Sequence, residues 1–409
     1  MKILYIAHRI NMTDGYAVHC RAFVGHVQAL GHAIVTYPEI RPIDYDAVNK
    51  KASGRKGLLD YIKKLRWRTI KRYLHKANGY VSEGLSCFDG LLETFKTRER
   101  IGRLIDDHHI DVVIYRQNLF NFAPFMAAKK RNIPIVCEVN SMRSMEYKLI
   151  DPKAKATVLT RWAERKSAAS ADAVCVVSTA IKQKLDAYGT GVPVSVVVNG
   201  VDADEFNPER HPRAEAKKQL DLSDRLVLGY VGSYKNWHGL DVTVEVLDRL
   251  RQNDPRWHLL LIGNGSCFAD IERTIRAKGL ARAVTQIKAV PHQRVPEYMA
   301  AFDIALMTYP ALPDFYFSPL KMFEYMAMGI PVVATKIGQI AEIVSEDTGV
   351  LVDPPTAENF SAAIEQSAPH LERLGVNARR LMVDSYSWAA NASRIMEVCE
   401  QAKRQTLKN

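Results

Sequence analysis

Short apolar runs alternate with longer amphipathic segments along most of the chain. Runs of three to seven residues that suit buried strands lie at 2–7, 33–37, 111–115, 135–139, 173–177, 192–198, 226–231, 259–262, 285–288, 304–307, 332–334 and 350–352. Segments with helical spacing of apolar residues lie between them, including 92–105, 123–130 and 154–169. Because strands that alternate with helices form parallel sheets covered on both faces, the pattern predicts an α/β fold.

A turn-rich sequence near the middle of the chain separates two such alternating series. It consists of Asn-Gly-Val-Asp at 199–202, with Pro208 and Pro212 soon after. We interpret it as the boundary between two Rossmann-like domains of similar size, at 1–198 and 199–386. The last segment, 387–409, is helical and follows a complete second domain, so we expect it to cross back and pack on the first domain.

The composition is that of a globular protein, with 47% apolar and 25% charged residues in a chain of 409. No uncharged apolar run approaches the roughly 20 residues that cross a bilayer, and the apolar run at the N-terminus is too short for a signal peptide. The six cysteines are scattered and lack the spacing of zinc ligands. We therefore expect a cytoplasmic protein with reduced cysteines.

Positive charge is concentrated in one stretch. The formal net charge is +11, and residues 50–76 contain eleven Lys or Arg against one acid, Asp60. Within 58–74 the apolar positions follow helical spacing, at Leu58, Ile62, Leu65, Ile70 and Tyr73. Such a basic amphipathic helix is typical of proteins that lie on an anionic membrane surface; alternatively its apolar stripe packs on the domain and its charged face is solvated. Nucleic acid is not an expected partner, because the rest of the chain is close to neutral.

The segment at 318–329 is predicted to be a short helix that binds a nucleotide. Ser318 is expected as its N-cap, Pro319 as its first helical residue and Gly329 as its C-terminal stop. Lys321 adds charge to the positive helix N-terminus, which suits a phosphate. Glu324 projects from the same face, where a carboxylate suits the two neighbouring hydroxyls of a ribose. The alternative is an ordinary helix with an exposed ion pair between Lys321 and Glu324.

Two further loops are expected at the carboxyl edges of the sheets, where ligands bind in open α/β folds. Gly15 follows the first strand; it either lets the backbone approach a phosphate or sugar or is a plain turn residue. Gly232 and Lys235 follow the first strand of the second series, so Lys235 and Lys321 are placed to hold one diphosphate, unless Lys235 is a solvated loop residue. The glycine-rich fingerprints of NAD dehydrogenases and P-loop enzymes are missing from the sequence, which argues against both classes.

Together these motifs resemble those of the retaining, nucleotide-sugar-dependent glycosyltransferases of family 4, which have two facing Rossmann-like domains, the GT-B fold. The matching motifs are Ser-Pro-Leu-Lys at 318–321, Phe-Glu-Tyr-Met-Ala at 323–327, Pro-Val-Val-Ala at 331–334, Val-Gly-Ser at 231–233, His-Gly at 238–239, Asn-Gly-Val-Asp at 199–202, Glu-Val-Asn at 138–140 and Thr-Gly-Val-Leu-Val at 348–352. They span almost the whole chain and are stronger in the second domain. The first domain is where acceptors bind in this family.

The resemblance implies a role for each matching residue. Glu324 would bind the ribose, Lys321 and Lys235 would contact the diphosphate, and the loop 314–318 would lie near the transferred sugar. The implied catalytic residues are Lys235, Lys321, Glu324 and Asn140. The implied donor-binding residues are Gly15, Gly232, Ser233, His238, Asp314, Tyr316, Phe317, Ser318 and Leu320.

Four positions depart from the family pattern. Tyr316 stands where a glutamate often contacts the donor sugar, Ser233 replaces a common arginine, and His238 replaces a frequent lysine. Asn140 stands where many members have a histidine near the reaction centre, and an amide can orient an acceptor hydroxyl but hardly take its proton. Glu138 ends its strand and is expected to line the cleft, with a buried, hydrogen-bonded carboxylate as the alternative.

The implied reaction is phosphate-assisted transfer of a sugar from a UDP- or GDP-type donor to a glycan or lipid-linked acceptor at the cytoplasmic face of the membrane, with retention of configuration. Neither a cofactor nor a metal is expected if lysines neutralise the departing diphosphate. The short Asp-x-Asp turns at 44–46 and 202–204 are ascribed to chance. The alternatives are a sugar-nucleotide epimerase or phosphorylase on the same fold, and a non-catalytic nucleotide-sugar-binding scaffold.

Overall fold

Two parallel sheets of six strands each organise the chain. The computed structural model describes residues 1–12, 15–41, 79–150, 157–312 and 314–407, with the backbone alone at 79–86 and 147–150. One compact unit comprises Met1–Val177, Ile181–Val197 and Ala392–Asn409, and the other comprises Ser178–Ala180 and Val198–Asn391. The predicted basic helix at 58–74 and the Asp-x-Asp turn at 44–46 lie outside the described residues.

The sheet of the first unit has the strand order β2-β1-β3-β4-β5-β6. Its strands are β1 (Lys2–Ile6), β2 (Ala33–Tyr37), β3 (Val112–Arg116), β4 (Ile135–Val139), β5 (Ala173–Val176) and β6 (Val194–Val196). The helices up to this point in the chain are α1 (Gly15–Ala29), α2 (Gly79–His108), α3 (Ala123–Lys130), α4 (Arg143–Ile150), α5 (Val158–Ala169) and α6 (Thr179–Asp186). Strands β3 and β4 are buried at every position, as expected for parallel strands covered on both faces.

The sheet of the second unit has the order β12-β11-β10-β7-β8-β9. Its strands are β7 (Leu226–Val231), β8 (Trp257–Ile262), β9 (Val284–Ile287), β10 (Ile304–Met307), β11 (Val332–Thr335) and β12 (Gly349–Val352). Its helices are α7 (Arg213–Gln219), α8 (Leu240–Asn253), α9 (Phe268–Ala277), α10 (Val295–Met299), α11 (Leu320–Ala327), α12 (Gly338–Ile343), α13 (Ala357–Ser367) and α14 (Leu371–Ser385).

The predicted α/β fold is confirmed, and all twelve predicted strands are present. Their ends differ from prediction by one or two residues. The predicted strand at 192–198 is confined to β6; at its N-terminal end, Pro193 has no N–H for the ladder. The helix predicted at 154–169 begins at Val158, where the Thr157 side chain accepts a hydrogen bond from the Thr160 N–H at 3.2 Å.

Both strand orders contain a point where the chain reverses its direction across the sheet. This point lies between β1 and β3 in the first unit and between β7 and β10 in the second. At such a point the crossing connections leave on opposite sides, and the carboxyl ends of the two strands border a crevice. Residues that follow these four strands are therefore the first candidates for ligand contacts.

Helix α11 has the predicted stop but not the predicted start. It begins at Leu320 with Pro319 as its N-cap residue, so the prediction of Ser318 as N-cap is wrong. The Ser318 hydroxyl instead accepts a hydrogen bond from the Asn199 N–H at 3.3 Å, and the Ser318 carbonyl accepts one from Asn199 Nδ2 at 2.7 Å. The C-terminal stop is confirmed, because Gly329 has a left-handed φ of +64°.

The last helix, α15 (Trp388–Thr406), packs in the core of the first unit, as predicted. Its buried residues recur every three or four positions, at Ala392, Ile395, Met396, Cys399 and Ala402. They join a cluster that includes Ile3 and Phe23. A helical stripe of this kind is what a surface helix needs to bury one face. None of the helices within the described ranges combines the length and apolarity needed to cross a bilayer.

Tyr325 joins α11 to the end of β7, which gives a direct test of this fold. Its fully buried hydroxyl accepts a hydrogen bond from the Val231 N–H at 2.7 Å. Tyr325→Phe leaves that buried N–H without an acceptor and should lower the free energy of unfolding by about 1–3 kcal/mol in denaturant titrations. Tyr298→Phe removes an exposed hydroxyl that pairs with Arg294 and should change stability by less than about 0.5 kcal/mol. Equal effects of the two variants would contradict the proposed connection.

Candidate functional site

The carboxyl ends of β7 and β10 gather several predicted site residues. Helix α11 begins at this edge and places the Lys321 ammonium between two aromatic rings. Nζ lies 4.0 Å from the centre of the Tyr230 ring, on β7, and 5.9 Å from that of Tyr309, which follows β10. Lys321 is therefore at the reversal point of the second sheet, the position where open α/β folds bind ligands.

Gly232 lies against this ammonium. Its φ is +141°, and a Cβ at this position would stand 2.8 Å from Lys321 Nζ. The backbone conformation disfavours a larger side chain, and a Cβ would require the Lys321 ammonium to shift. The structure thus brings together two of the predicted residues: Lys321 supplies the positive charge, and Gly232 leaves room for its ammonium.

The Lys321 ammonium is buried without a hydrogen-bond acceptor among the residues that the structure describes. Burial lowers the pKa of Lys321 to about 7, although the Glu324 carboxylate opposes the shift. A buried donor that lacks an acceptor costs about 1–3 kcal/mol, and an anionic oxygen would remove that cost. Lys321 is therefore not part of an exposed ion pair with Glu324, which was the alternative interpretation of this helix.

His238 borders the same site as an uncharged ring. Its Nδ1 lies 2.6 Å from the Ser233 carbonyl oxygen, which can only accept, so Nδ1 carries the proton and Nε2 keeps its lone pair. Burial and the nearby charges of Lys321 and Lys235 together lower the pKa of His238 to about 3. Both lysines therefore lie near this ring. The Lys235 ammonium is 5.9 Å from the centre of the Trp237 ring.

Glu324 is buried and pairs with a histidine that sequence reasoning missed. Its Oε1 lies 2.8 Å from Nε2 of His292, whose Nδ1 lies 3.9 Å from Oε1 of Glu205. Burial alone would lower the pKa of His292, but the two carboxylates outweigh it and raise the pKa. The available signal was its position in the loop after β9, at the same carboxyl edge as the predicted residues.

Aromatic contacts hold the predicted sugar-side loop at 314–318. Phe315 and Tyr316 are buried, and the rings of Tyr316 and Phe317 lie 4.5 Å apart. The Tyr316 carbonyl accepts a hydrogen bond from Ser178 Oγ at 2.8 Å. Asp314, Phe317, Ser318 and Leu320 are half-buried. The loop thus has a defined shape, and its contact with a donor sugar stays a prediction.

In the first unit, the prediction that Glu138 lines a cleft is wrong. Its carboxylate is buried between Arg116 Nη1 at 2.8 Å, His19 Nε2 at 2.7 Å and the Tyr5 hydroxyl at 3.0 Å. Burial would raise the pKa of Glu138, but Arg116 and His19 outweigh it and hold the pKa at about 2. A carboxylate with three such partners is a structural ion.

Asn140 and Gly15 lie near this buried cluster. The Asn140 amide is placed so that its nitrogen donates to Glu138 Oε1 and its oxygen accepts from Arg116 Nη2, both at 3.0 Å. Gly15 is the exposed first residue of α1, and the next residue, Tyr16, places its ring 4.1 Å from the Arg116 guanidinium. The predicted roles of Asn140 and Gly15 toward substrates stay predictions.

The acidic turn at 202–204 serves the backbone. Asp202 Oδ1 accepts hydrogen bonds from the N–H groups of Asp204 and Glu205, each at 3.0 Å. Within the described ranges, no group of three or more His, Cys, Asp or Glu side chains is arranged to hold a metal ion.

Two family models match most of the chain. The model described as Glycosyltransferase Family 4 matches residues 13–205, and the model described as Glycosyl transferases group 1 matches residues 225–368.

Curated relatives are similar over part of their length. The GDP-mannose-dependent alpha-(1-6)-phosphatidylinositol monomannoside mannosyltransferase of Mycolicibacterium smegmatis is 27% identical over 248 residues, which are 59% of this chain and 65% of that protein. The alpha-D-kanosaminyltransferase of Streptomyces kanamyceticus is 25% identical over 285 residues, 66% of this chain and 71% of that protein. The chain thus spans slightly less than two thirds of the mannosyltransferase.

Solved structures share the fold over nearly the whole chain. HepE of Anabaena, crystallised in complex with UDP, has a TM-score of 0.71 at 16% identity and covers 98% of this chain and 100% of its own. Sucrose-phosphate synthase from Thermosynechococcus elongatus has a TM-score of 0.67 at 18% identity and covers 98% of each chain. The predicted GT-B fold class is confirmed.

The pairing of His292 with Glu324 predicts a pH-dependent contribution to stability. A histidine whose pKa is raised by folding stabilises the fold fully below its unfolded pKa of about 6.5, and the effect is lost as pH rises through the raised pKa. The difference in free energy of unfolding between wild type and His292→Gln should therefore be largest in acid and shrink above neutrality. Urea titrations across this pH range measure it.

His258 provides a control, because its contribution to stability should change with pH in the opposite direction. Burial lowers its pKa to about 4, so its contribution should grow as pH rises to about 6.5 and stay constant above that. A His292→Gln difference that does not vary with pH would contradict the pairing.

Proposed function

The chain belongs to the family 4 glycosyltransferases, and from that premise we propose that it transfers a sugar from a UDP- or GDP-type donor to a glycan or lipid-linked acceptor with retention of configuration. One observation carries the proposal. At the reversal point of the second sheet, the buried Lys321 ammonium faces Gly232 and lacks a hydrogen-bond acceptor within the described part of the chain. A diphosphate oxygen has the charge and the size to complete this site.

Lys321, Lys235 and the N-terminus of α11 would neutralise the departing diphosphate. The bond between the anomeric carbon and the phosphate oxygen breaks, and its electron pair passes to that oxygen. The acceptor oxygen attacks the anomeric carbon from the same face, and its proton passes to the departing phosphate oxygen. No side chain has to act as a base in this series of reaction steps. Positive groups already aligned at the oxygen where charge develops lower the barrier without reorganising.

Glu324 would accept hydrogen bonds from the two ribose hydroxyls. Among the described residues, His292 contacts Oε1, and this contact would leave Oε2 to accept from the ribose. His292 is in this view a positioning residue. The loop 314–318 would contact the transferred sugar, with Tyr316 and Phe317 as its fixed base, and Asn140 in the first unit would orient the acceptor hydroxyl. His238 and Ser233 would frame the phosphate site beside Lys235.

The relatives support the class of donor and acceptor. The mannosyltransferase named above is GDP-mannose-dependent and acts on a phosphatidylinositol monomannoside, and a lipopolysaccharide core mannosyltransferase of Rhizobium meliloti is also similar to this chain. The HepE structure contains UDP. These names point to a cell-envelope glycan or lipid as acceptor. None of these relatives is an epimerase, a phosphorylase or a non-catalytic scaffold, so those alternatives gain no support.

Transfer is tested by supplying UDP- and GDP-sugars with and without membrane lipid extract and measuring the release of nucleoside diphosphate. Release should require the acceptor. Glu324→Ala removes both hydrogen bonds to the ribose and should lower kcat/KM by about 100-fold. Glu358→Ala, an exposed position on α13, is the matched control and should match wild type. Product formed without acceptor, or an unimpaired Glu324→Ala enzyme, would overturn the proposal.

Donor binding should also take up a proton. With a pKa of about 7, Lys321 is mostly neutral at pH 8 when the site is empty, and a bound diphosphate restores the ammonium. Titration calorimetry with UDP and GDP in two buffers of different ionisation enthalpy should show uptake of about 0.9 proton at pH 8. The affinity should fall about tenfold from pH 8 to pH 9.

Two lysine variants separate this effect from general charge. Lys321→Arg keeps a permanent cation and should abolish the uptake. Lys235→Arg should leave it unchanged. Equal uptake by wild type and Lys321→Arg would show that another group titrates.

A further inference from the structure

A cavity of about 690 Å³ lies between helices α2, α3 and α5 of the first unit. Its apolar wall is formed by Leu91, Phe95, Phe122, Phe125, Met126 and Trp162. Ile133, Ile135 and Ala171 also line it, and they lie at the starts of β4 and β5. The cavity is therefore distinct from the residues that follow the carboxyl ends of β1 and β3. Its volume lies within the range of ligand pockets, about 300–1,000 Å³.

Apolar side chains extend beyond the cavity onto the surface around it. Phe95 is 75% exposed and Trp162 is 50% exposed. On α2 the exposed residues Phe88, Leu91, Leu92 and Phe95 follow helical spacing, and on α5 the exposed Val158 lies one turn before Trp162. Contiguous exposed apolar surface of this kind marks an interaction site in a protein of ordinary composition. We call this surface, with its cavity, the α2/α3/α5 groove.

Lysines give the groove a positive edge. Lys129 and Lys166 both line the cavity. Asp172 also lines it, but its Oδ2 accepts a hydrogen bond from the Ile135 N–H at 2.7 Å and so is directed to the start of β4. Exposed aliphatic and aromatic side chains beside a tryptophan and lysines are the combination that binds the interface of an anionic bilayer.

We propose that the α2/α3/α5 groove docks the first unit on an anionic phospholipid bilayer, with one acyl chain in the cavity and a lipid phosphate beside Lys129 and Lys166. A small ligand held only in the cavity would leave Phe88 and Val158 exposed. A second copy of the chain, docked through the same face, would have to bury these lysines of both copies in the interface. Both are less compatible with the surface than a bilayer is.

The inference rests on the proposed function in one respect only: if the acceptor is membrane-bound, the docked protein would meet it at the bilayer surface. It concerns elements other than the basic segment at 58–74, whose sequence alone favours anionic membranes. The experiment must therefore separate chain insertion at the groove from attraction by that segment.

Flotation of the full-length protein with vesicles is the first measurement. Vesicles of phosphatidylcholine mixed equally with phosphatidylglycerol should bind the protein, and vesicles of phosphatidylcholine alone should bind it weakly. The double variant Phe95→Ser, Trp162→Ser should lose most of the binding. The double variant Lys129→Gln, Lys166→Gln should weaken it by about fivefold for each lysine.

Matched controls lie elsewhere on the chain. Val376→Ser with Val383→Ser changes two exposed apolar residues on α14 of the second unit, and Lys130→Gln changes the lysine next to Lys129 that does not line the cavity. Both should float as wild type does. Each variant should still melt cooperatively and bind UDP or GDP as wild type does, which separates failure of docking from failure of the donor site.

Brominated acyl chains supply the second measurement. Because Trp67 lies in the basic segment, quenching is measured in Trp67→Phe. Vesicles whose phosphatidylglycerol carries bromine on its acyl chains should quench the tryptophan fluorescence of this variant, and adding Trp162→Phe should remove most of the quenching. The inference is overturned if the Phe95→Ser, Trp162→Ser variant floats as wild type does, or if quenching persists in Trp67→Phe, Trp162→Phe. It is also overturned if wild type does not float and instead forms a dimer that Phe95→Ser dissociates.

Discussion

The buried ammonium of Lys321 is the constraint on which the geometry of the second unit depends. Its Nζ lies against the Tyr230 ring and would stand 2.8 Å from a Cβ at residue 232, where the φ of +141° favours glycine. Tyr325, one turn further along α11, accepts the N–H of Val231, the residue before that glycine. The contact of Lys321 with Tyr230 and the hydrogen bond between Tyr325 and Val231 thus fix α11 to β7. Among the described residues this buried donor has no acceptor, which costs about 1–3 kcal/mol, and a bound anion would remove that cost.

Glu324 of α11 pairs with His292 and forms no ion pair with Lys321. Lys321 and Glu324 are three residues apart, a spacing at which surface ion pairs form readily. Had they paired, the carboxylate would have neutralised the ammonium and neither group would have been available to a ligand. Glu324 Oε1 lies 2.8 Å from His292 Nε2 instead. Under the proposed function, the ammonium would then contact a phosphate and the carboxylate a sugar hydroxyl.

The strands and the glycines at their ends were predictable because they follow from local pattern. Apolar runs of four to six residues, as in β7 and β10, mark strands buried on both faces, and the carboxyl-edge rule then selects Gly232 and Lys235. What failed depended on contacts distant in sequence. Ser318 was expected as an N-cap, but Asn199, more than a hundred residues earlier, binds it. Glu138 was expected to line a cleft, but Arg116 and His19 enclose it. His292 was missed because no motif links it to Glu324.

The two units place a cation in similar surroundings with opposite consequences. Arg116 ends β3, beside the reversal point of the first sheet, and its guanidinium lies 4.1 Å from the centre of the Tyr16 ring. Lys321 lies at the reversal point of the second sheet, with its ammonium 4.0 Å from the centre of the Tyr230 ring. Arg116 is neutralised by Glu138 at 2.8 Å, whereas Lys321 has no such acceptor among the described residues. A buried cation paired with a carboxylate is a structural ion, whereas a buried cation without an acceptor is a candidate site for an anion. This contrast supports the proposal that the anionic donor binds to the second unit; in the first unit, the Asn140 amide is already paired with Glu138 and Arg116.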